Sequence, residues 1–274
     1  MDPYVHASPK KTLTHADAVA AFEQSGEAIK FEVPRYTVRI CGIDDETRIE
    51  AGTGIGVRIS GRCFVLTAAH VIREYDAKSL WIFKSSSWAN QRVQPRAVGH
   101  RGGKPGDILD VGYVELDEVA VQHLGLECLS LSRLTTISPP EGDFIALNGI
   151  PAKPHEIKQR GGPDDLDIIW APFIALTIQL PESVWHEGVD RSLEVEVDYP
   201  ESYDALLPGL GKQLLPDAPG MSGGGLWICN LGARSEMWSA TRLQLAGTIT
   251  AWHPIERWVR ANRIAQQLRM LAED

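Results

Sequence analysis

Three segments of the chain carry side chains that together could cleave a bond by nucleophilic attack. An apolar run, Val65 to Thr67, leads through two alanines to His70, and a glycine-dense turn holds Ser222 just before another apolar run. Between them in the sequence, Asp110 precedes a third apolar run. A serine hydroxyl is a poor nucleophile at neutral pH unless a base takes its proton and a carboxylate orients that base. The residue types therefore predict Ser222 as nucleophile, His70 as base and Asp110 as the orienting carboxylate.

Each segment alone also has an ordinary structural interpretation. A histidine between apolar residues is more often a satisfied structural residue, and a glycine-rich turn could be a hairpin or an anion-binding nest. An aspartate before a strand often caps a turn. Asp107 is the alternative carboxylate, and Asp110 is preferred because the apolar run starts immediately after it. The order His70, Asp110, Ser222 gives the three segments more weight together than any has alone.

The elements that must position these residues are short strands. From Tyr36 onwards, β-branched and apolar runs alternate with glycine and proline turn signals, which predicts an all-β protein. Helical spacing of apolar residues occurs in 12–33 and from Pro254 to the end of the chain. Long loops are predicted at 85–106 and 200–220. The predicted strands are 36–41, 54–59, 63–67, 80–83, 111–116, 144–147, 168–180, 193–199, 224–229 and 243–251.

One predicted strand carries an acidic face. In 193–199, Glu194, Glu196 and Asp198 alternate with apolar residues. Side chains alternate between the two faces of a strand, so one face is expected to be buried and the other to be a solvated acidic stripe. We interpret this stripe as surface and not as a metal site.

Composition limits the class of protein. The chain has 274 residues, with 27 basic and 36 acidic side chains, a net charge of −9 and 43% hydrophobic residues. This balance argues against sequence-independent nucleic-acid binding, which needs a basic face, and the apolar content is enough for a conventional core. The start of the chain lacks the pattern of a secretory signal, and the densest apolar run, 168–178, is too short to cross a bilayer. We expect a cytoplasmic protein without membrane or nucleic-acid partners.

The four cysteines, at positions 41, 63, 128 and 229, are scattered and form no C-x-x-C pair. This distribution suits a reducing compartment, so we interpret them as buried apolar fillers. A structural disulfide, or a zinc site that includes a histidine, is the alternative.

With these motifs in view, the sequence resembles the trypsin-like (chymotrypsin-fold) serine peptidases, and more closely their bacterial-type branch. Residues 67–70 look like the family's T-A-A-H motif, and 110–114 are similar to its aspartate-led strand. Residues 220–224 match its G-x-S-G-G turn, and 51–57 resemble the strand that precedes the histidine strand. In motif order, the resemblance covers roughly Tyr36 to Trp252.

The resemblance implies a specific architecture of two six-stranded antiparallel β-barrels with short N-terminal and C-terminal helices. Residues 1–34 would be an N-terminal extension with a short helix. Residues 35–135 would form the first barrel, with His70 and Asp110, and 136–253 the second, with Ser222. Residues 254–274 would form the C-terminal helix.

The resemblance also implies the function of a serine endopeptidase that forms an acyl-enzyme and needs no metal or cofactor. Ser222 would attack the scissile carbonyl, His70 would relay the proton, and Asp110 would fix the imidazole tautomer. The backbone N–H groups of Gly220 and Ser222 would form the oxyanion hole. The expected partner is a protein or peptide substrate, with one dedicated partner protein as the working hypothesis.

Two positions depart from the family's better-known members. Where zymogen-activated enzymes have an aspartate before the nucleophile, this chain has Met221, so activation by N-terminal trimming is not expected. Six residues before the serine, where trypsin-like enzymes have an acid, stands Pro216, with Asp217 beside it. Pro216, Thr250 and Trp252 are the predicted substrate-pocket residues. A small or medium apolar residue is expected on the cleaved side.

Four other functional classes could account for single features of the sequence. A catalytically inactive trypsin-fold protein, acting as a binding or scaffold module, is the main alternative. A phosphate-binding loop would need the G-x-x-x-x-G-K-[ST] pattern and β-α alternation, and the chain has neither. An esterase of the α/β-hydrolase type would order its residues Ser, Asp, His. A metallopeptidase would need H-E-x-x-H or clustered ligands, whereas His155 and His186 stand alone.

Overall fold

A computed structural model describes the larger part of the chain. The described residues are 26, 28–44, 48–84, 92–138, 144–150, 156–159, 166–169, 173–178, 185–186, 188–199, 201, 220–229 and 239–273. Residues 12–25 of the predicted N-terminal helix, most of the 200–220 loop, and Pro216 and Asp217 lie outside them. Within the described part, residues 28–32 are helical and continue into a 3-10 turn, Val33–Tyr36.

Two antiparallel sheets form the body of the protein. The first has seven strands in the order β5-β4-β1-β2-β3-β7-β6, and the second has six in the order β11-β8-β13-β14-β15-β12, while β9 and β10 pair with each other. The strands are β1 Thr37–Asp44, β2 Arg48–Ile59, β3 Arg62–Thr67, β4 Leu80–Lys84, β5 Arg92–Val93, β6 Ala97–Gly102, β7 Asp110–Leu116, β8 Phe144–Gly149, β9 Glu156–Gln159, β10 Leu166–Ile169, β11 Phe173–Ile178, β12 Glu194–Asp198, β13 Gly225–Ile228, β14 Gln244–His253 and β15 Trp258–Arg263.

Besides the helical residues 28–32, the described part of the chain has three short helices: α1 Ala69–Ile72, α2 Glu118–Leu124 and α3 Ile264–Glu273. Asp117 caps α2 by accepting the backbone N–H of Ala120 at 2.7 Å. The predicted all-β class and the pair of antiparallel sheets are confirmed, with seven strands instead of six in the first sheet. None of the described helices is long and apolar enough to cross a membrane.

Three apolar clusters hold this arrangement together. One lies within the first sheet and includes Ile40, Val65 and Leu80. Another lies within the second sheet and is built around residues such as Val197. The third joins the two sheets, because it contains Leu66 of β3 together with residues of β13, β14 and α3. Burial of this shared cluster fixes the first sheet against the second, and the junction is where His70 and Ser222 lie.

The C-terminal helix is shorter than the sequence predicts. Residues 254–274 were expected to be helical, but Trp258–Arg263 form β15 and only Ile264–Glu273 form α3. Trp258, Val259 and Ala261 are buried in the sheet. The mixed apolar and polar residues of 258–263 fit both the 3.6-residue period of a helix and the two-residue period of a strand, because the segment is short. Its pairing with β12 and β14 makes it a strand.

The prediction that β12 has a solvated acidic stripe is also wrong. Glu194 and Glu196 on β12 are almost completely buried. Glu196 contacts the imidazole of His186, with Oε1 2.5 Å from Nδ1. Glu194 accepts the backbone N–H of Asp190 at 3.0 Å, and burial raises the pKa of its carboxyl above the ordinary value. The segment before β12 and the basic side chain of Arg260 therefore cover this face.

Two of the four cysteines form a disulfide, which corrects their interpretation as apolar fillers. Cys63 on β3 is bonded to Cys128, 65 positions later in the sequence, whereas Cys41 and Cys229 are buried and do not take part in this bridge. Stable disulfides are typical of oxidising compartments. The cysteine pattern therefore no longer supports the expectation of a reducing one.

Removing this disulfide should destabilise the fold. A bridge between residues this far apart restricts the unfolded chain, so Cys63→Ala/Cys128→Ala should lower the free energy of unfolding by about 2–4 kcal/mol. Denaturant titration with and without reductant measures this. The matched control, Cys41→Ala/Cys229→Ala, should keep the wild-type sensitivity to reductant, and an equal response of both double variants would contradict the prediction.

Candidate active site

His70 lies just after the end of β3, at the junction of the two sheets. β3 ends at Thr67, Ala68 stays extended, and α1 begins at Ala69, so the imidazole is held within one helical turn next to the strand end. Ala68 and Ala69 are completely buried. Their small side chains allow the backbone to pack tightly here, and α1 therefore has a fixed position.

Asp110, the first residue of β7, makes two contacts with His70. Its Oδ1 accepts the backbone N–H of His70 at 2.9 Å, and its Oδ2 lies 2.6 Å from the imidazole Nδ1. The side chain of Asp110 is 14% exposed and that of His70 is 34% exposed. The carboxylate is thus shielded, while the far side of the imidazole is open to a ligand. Such a pair holds the Nδ1–H tautomer and leaves Nε2 free as a base.

Asp107, the alternative carboxylate, stabilises a turn instead. Its Oδ2 accepts the backbone N–H of Lys104 at 2.9 Å, and its own N–H donates to the Lys104 carbonyl at 3.0 Å. These bonds close a turn in the segment between β6 and β7. The same segment brings Gly103, at φ +83°, so close to the pair that a Cβ there would meet the His70 nitrogen at 2.7 Å and Asp110 Oδ1 at 2.9 Å. Glycine is required at this approach.

The second sheet closes the other side of the site. A cleft of about 360 Å³ is bordered by His70, Asp110 and Gly103 from the first sheet and by Thr250 and Ala251 of β14 from the second. The backbone N–H of Asp110 donates to the side-chain carbonyl of Asn262 on β15 at 2.8 Å. The position of the carboxylate therefore depends on both sheets.

The glycine-rich turn is bonded to the same strand of the second sheet. Gly223 N–H donates to the Ile249 carbonyl, and Ile249 N–H donates to the Gly224 carbonyl, both at 2.7 Å. Ile249 directly precedes Thr250, which borders the cleft. Ser222 is half-buried, and its own carbonyl accepts the backbone N–H of Thr53 at 2.8 Å. The turn is thus anchored to β14 on one side and to β2 on the other.

The predicted pocket residues have different surroundings. Thr250 lies at the cleft beside His70. Trp252 packs edge-on against Tyr199, with ring centroids 6.5 Å apart, and is partly buried against the core of the second sheet. It does not border the cleft as far as the described residues define it. Within that same part of the chain, no three histidine, cysteine or carboxylate side chains are grouped to hold a metal ion.

Three residues that contribute to this geometry were not predicted from the sequence. In the sequence, Gly103 belongs to a Gly-Gly turn signal, Thr53 to the strand motif 51–57, and Asn262 to no motif. Each acts on a residue that lies between 7 and 169 positions away in the sequence. Spacing in the sequence carries no signal for such contacts, although the Gly102–Gly103 pair does indicate an unusual backbone at this point.

Comparison with known proteins gives the fold a name. No protein-family model matches the chain, and no curated protein matches it significantly. Solved structures do match. A collagenase is similar at 13% identity with a TM-score of 0.55, and the match covers 87% of this chain and 92% of the collagenase chain. Neuropsin, a serine protease of mouse brain, matches at 14% identity and TM-score 0.55, covering 88% and 94%. Human heparin binding protein matches at 14% identity and TM-score 0.55, covering 89% and 92%.

These matches extend over nearly the whole of each solved chain, and the order of the strands agrees with two packed half-barrels. At this level of identity they establish the architecture of the chain and no more than that. The protein has the chymotrypsin-like fold of the trypsin-type serine proteases.

Proposed function

We propose that this protein is a serine endopeptidase of the bacterial type that hydrolyses peptide bonds in a protein substrate. The observation that carries the proposal is the pair of His70 and Asp110, which are joined by two hydrogen bonds. This pair opens onto a cleft that is bordered on its other side by Thr250 and Ala251. A carboxylate that bonds both the backbone and the ring of one histidine fixes its orientation, as a general base requires.

Acylation would proceed in steps that use only groups of the protein. Ser222 Oγ attacks the scissile carbonyl carbon while His70 Nε2 takes its proton, and Asp110 stabilises the imidazolium that forms. The N–H groups of Gly220 and Ser222 donate to the oxyanion. His70 then gives the proton to the leaving amine, the C–N bond breaks, and an ester of Ser222 remains. Water, deprotonated by His70, hydrolyses this ester and restores the serine. No cofactor is required.

The backbone around Ser222 supports its role. Peptide units are planar and trans, so the C=O and N–H of one unit point in opposite directions. Gly224 N–H donates to the Met221 carbonyl at 2.7 Å, which turns the N–H of Ser222 away from that bond. The N–H of Ser222 is therefore not used in this turn, as its proposed role in the oxyanion hole requires. A protein or peptide, with one dedicated partner and a small or medium apolar residue on the cleaved side, is the proposed substrate.

A fluorophosphonate probe tests the proposal directly. The native protein should bind one probe molecule per chain, and peptide mapping by mass spectrometry should locate it on Ser222, because only an activated serine reacts quickly with such a reagent. Heat-denatured protein should remain unlabelled. If the native protein does not react, the chain is instead an inactive binding module built on this fold. Reaction at another serine would overturn the assignment of Ser222 as the nucleophile.

A further inference from the structure

Thr53 on β2 contacts three separate segments at the junction of the two sheets. Its backbone N–H donates to the Ser222 carbonyl at 2.8 Å, and its hydroxyl donates to the Gly220 carbonyl at 2.9 Å. The same hydroxyl oxygen accepts the backbone N–H of Ile150, directly after β8, at 2.7 Å. The side chain is completely buried. One residue of the first sheet therefore holds both ends of the Gly220–Ser222 segment.

Thr53 is itself fixed from behind. Its carbonyl accepts the hydroxyl of Thr67, the last residue of β3, at 2.7 Å. The Thr67 carbonyl in turn accepts the side-chain amide of Gln267 on α3 at 3.3 Å. Every polar group of Thr53 is thus engaged. Breaking a hydrogen bond of a buried polar group is energetically costly, because water cannot replace the lost partner. This network therefore resists rotation of its members.

The position of the Gly220 carbonyl sets the orientation of the N–H groups proposed for the oxyanion hole. The peptide unit between Gly220 and Met221 is planar, so holding its carbonyl fixes the whole unit. The N–H of Gly220 belongs to the preceding peptide unit, which is linked to this one only through ψ and φ of Gly220, and this φ is +90°, in the region that favours glycine. Met221 is completely buried and uncharged, so an ion pair at this residue cannot do the same work.

We propose that Thr53 is a positioning residue: it holds the Gly220 and Ser222 N–H groups in the orientation that binds an oxyanion, without a ligand or a proteolytic cut. The inference rests on the proposed function, because it assigns Thr53 a role in the same reaction. It predicts an effect on the chemical step and on the mobility of one turn, and each can be measured separately.

Three variants separate positioning from general stability. Thr53→Val keeps the shape but removes the hydroxyl, and Thr53→Ser keeps the hydroxyl. Thr37→Val is the matched control. Thr37 is also completely buried, and its hydroxyl likewise donates to a carbonyl, that of Val33, and accepts an N–H, that of Asn148, both at 2.9 Å. Neither contact is with the Gly220–Ser222 segment itself, although Asn148 also accepts the backbone N–H of Gly225, at 3.0 Å.

The kinetic readouts are hydrolysis of p-nitrophenyl acetate and the rate of fluorophosphonate labelling. Thr53→Val should lower kcat and the labelling rate by about 10- to 100-fold with little change in KM, because misplaced donors weaken only the transition state. Thr53→Ser should restore most of the rate. Thr37→Val should lower the melting temperature about as much as Thr53→Val but keep kcat. Equal rate losses in Thr53→Val and Thr37→Val, or no loss in Thr53→Val, would overturn the inference.

Hydrogen exchange tests the inference independently of activity. Amides of residues 220–223 should exchange at least about 10-fold faster in Thr53→Val than in the wild type or Thr37→Val, since local opening governs exchange. Gly225 is left out of this comparison because its N–H donates to Asn148, which also contacts Thr37. Unchanged exchange in this segment would refute the positioning role even in an active enzyme. A wild-type protein that never reacts with the probe would refute the proposed function, and the exchange result would still decide whether Thr53 holds the turn.

Discussion

Ser222→Ala is expected to lower kcat for peptide or ester hydrolysis by about 10⁶-fold, because the attacking atom is removed and only binding and the oxyanion donors remain. KM should change little, since the hydroxyl contributes little to the binding of the ground state. Steady-state kinetics at high enzyme concentration, with active-site titration of the wild type, measure the ratio. The variant should also lose fluorophosphonate labelling completely.

The control for this experiment is Ser130→Ala. Ser130 is exposed, and its hydroxyl lies 2.8 Å from that of Ser132, far from the glycine-rich turn in sequence. Its loss should change kcat by less than about threefold, as is usual for surface positions. If activity survives in Ser222→Ala but is lost when a different serine is replaced, that serine is the nucleophile.

Several strands were predicted closely from short apolar runs alone. β3 and β7 were placed within one residue of their observed bounds, because both faces of each strand are buried and the apolar run is nearly continuous. β6 lies within the predicted loop 85–106, because this stretch is rich in glycine, proline and polar residues and β6 itself contains two glycines. Its pairing with β7 makes it a strand, and that information is not local.

The face of β12 shows the same limit. Alternation correctly indicated a strand over 193–199, but it could not show which face solvent reaches. Glu196 is buried because His186, ten residues earlier, folds over it, and Arg260 comes from the neighbouring strand β15 toward Glu194. Alternating polarity predicts the two faces of a strand, whereas burial of the polar one depends on segments that alternation does not describe.

The candidate site was predictable to the extent that its parts are local. His70, Asp110 and Ser222 each stand in a short motif whose residue types have a chemical reason: small residues before the histidine, an apolar run after the aspartate and glycines around the serine. Thr53 and Asn262 have no such motif. They act only because the two sheets pack together, so their contribution can be seen in the folded chain alone.

Asp110→Asn is expected to lower kcat by about 10⁴-fold while the fold is retained. Oδ1 of Asp110 accepts the backbone N–H of His70, and the asparagine carbonyl can keep this bond. Its NH₂ group then faces Nδ1, which must become an acceptor, so the ring proton moves to Nε2. Nε2 is the atom that must take the proton from Ser222. The substitution thus holds the imidazole in the wrong tautomer without moving it.

Asp107→Asn is the matched control, because it makes the same chemical change three residues away. Asp107 accepts the backbone N–H of Lys104 in a turn, and an asparagine carbonyl can accept the same bond. Its kcat should stay within about threefold of the wild type. Equal melting temperatures of the two variants would show that the loss in Asp110→Asn is chemical. A fully active Asp110→Asn beside an inactive Asp107→Asn would transfer the orienting role to Asp107, and the two bonds between Asp110 and His70 would then be structural only.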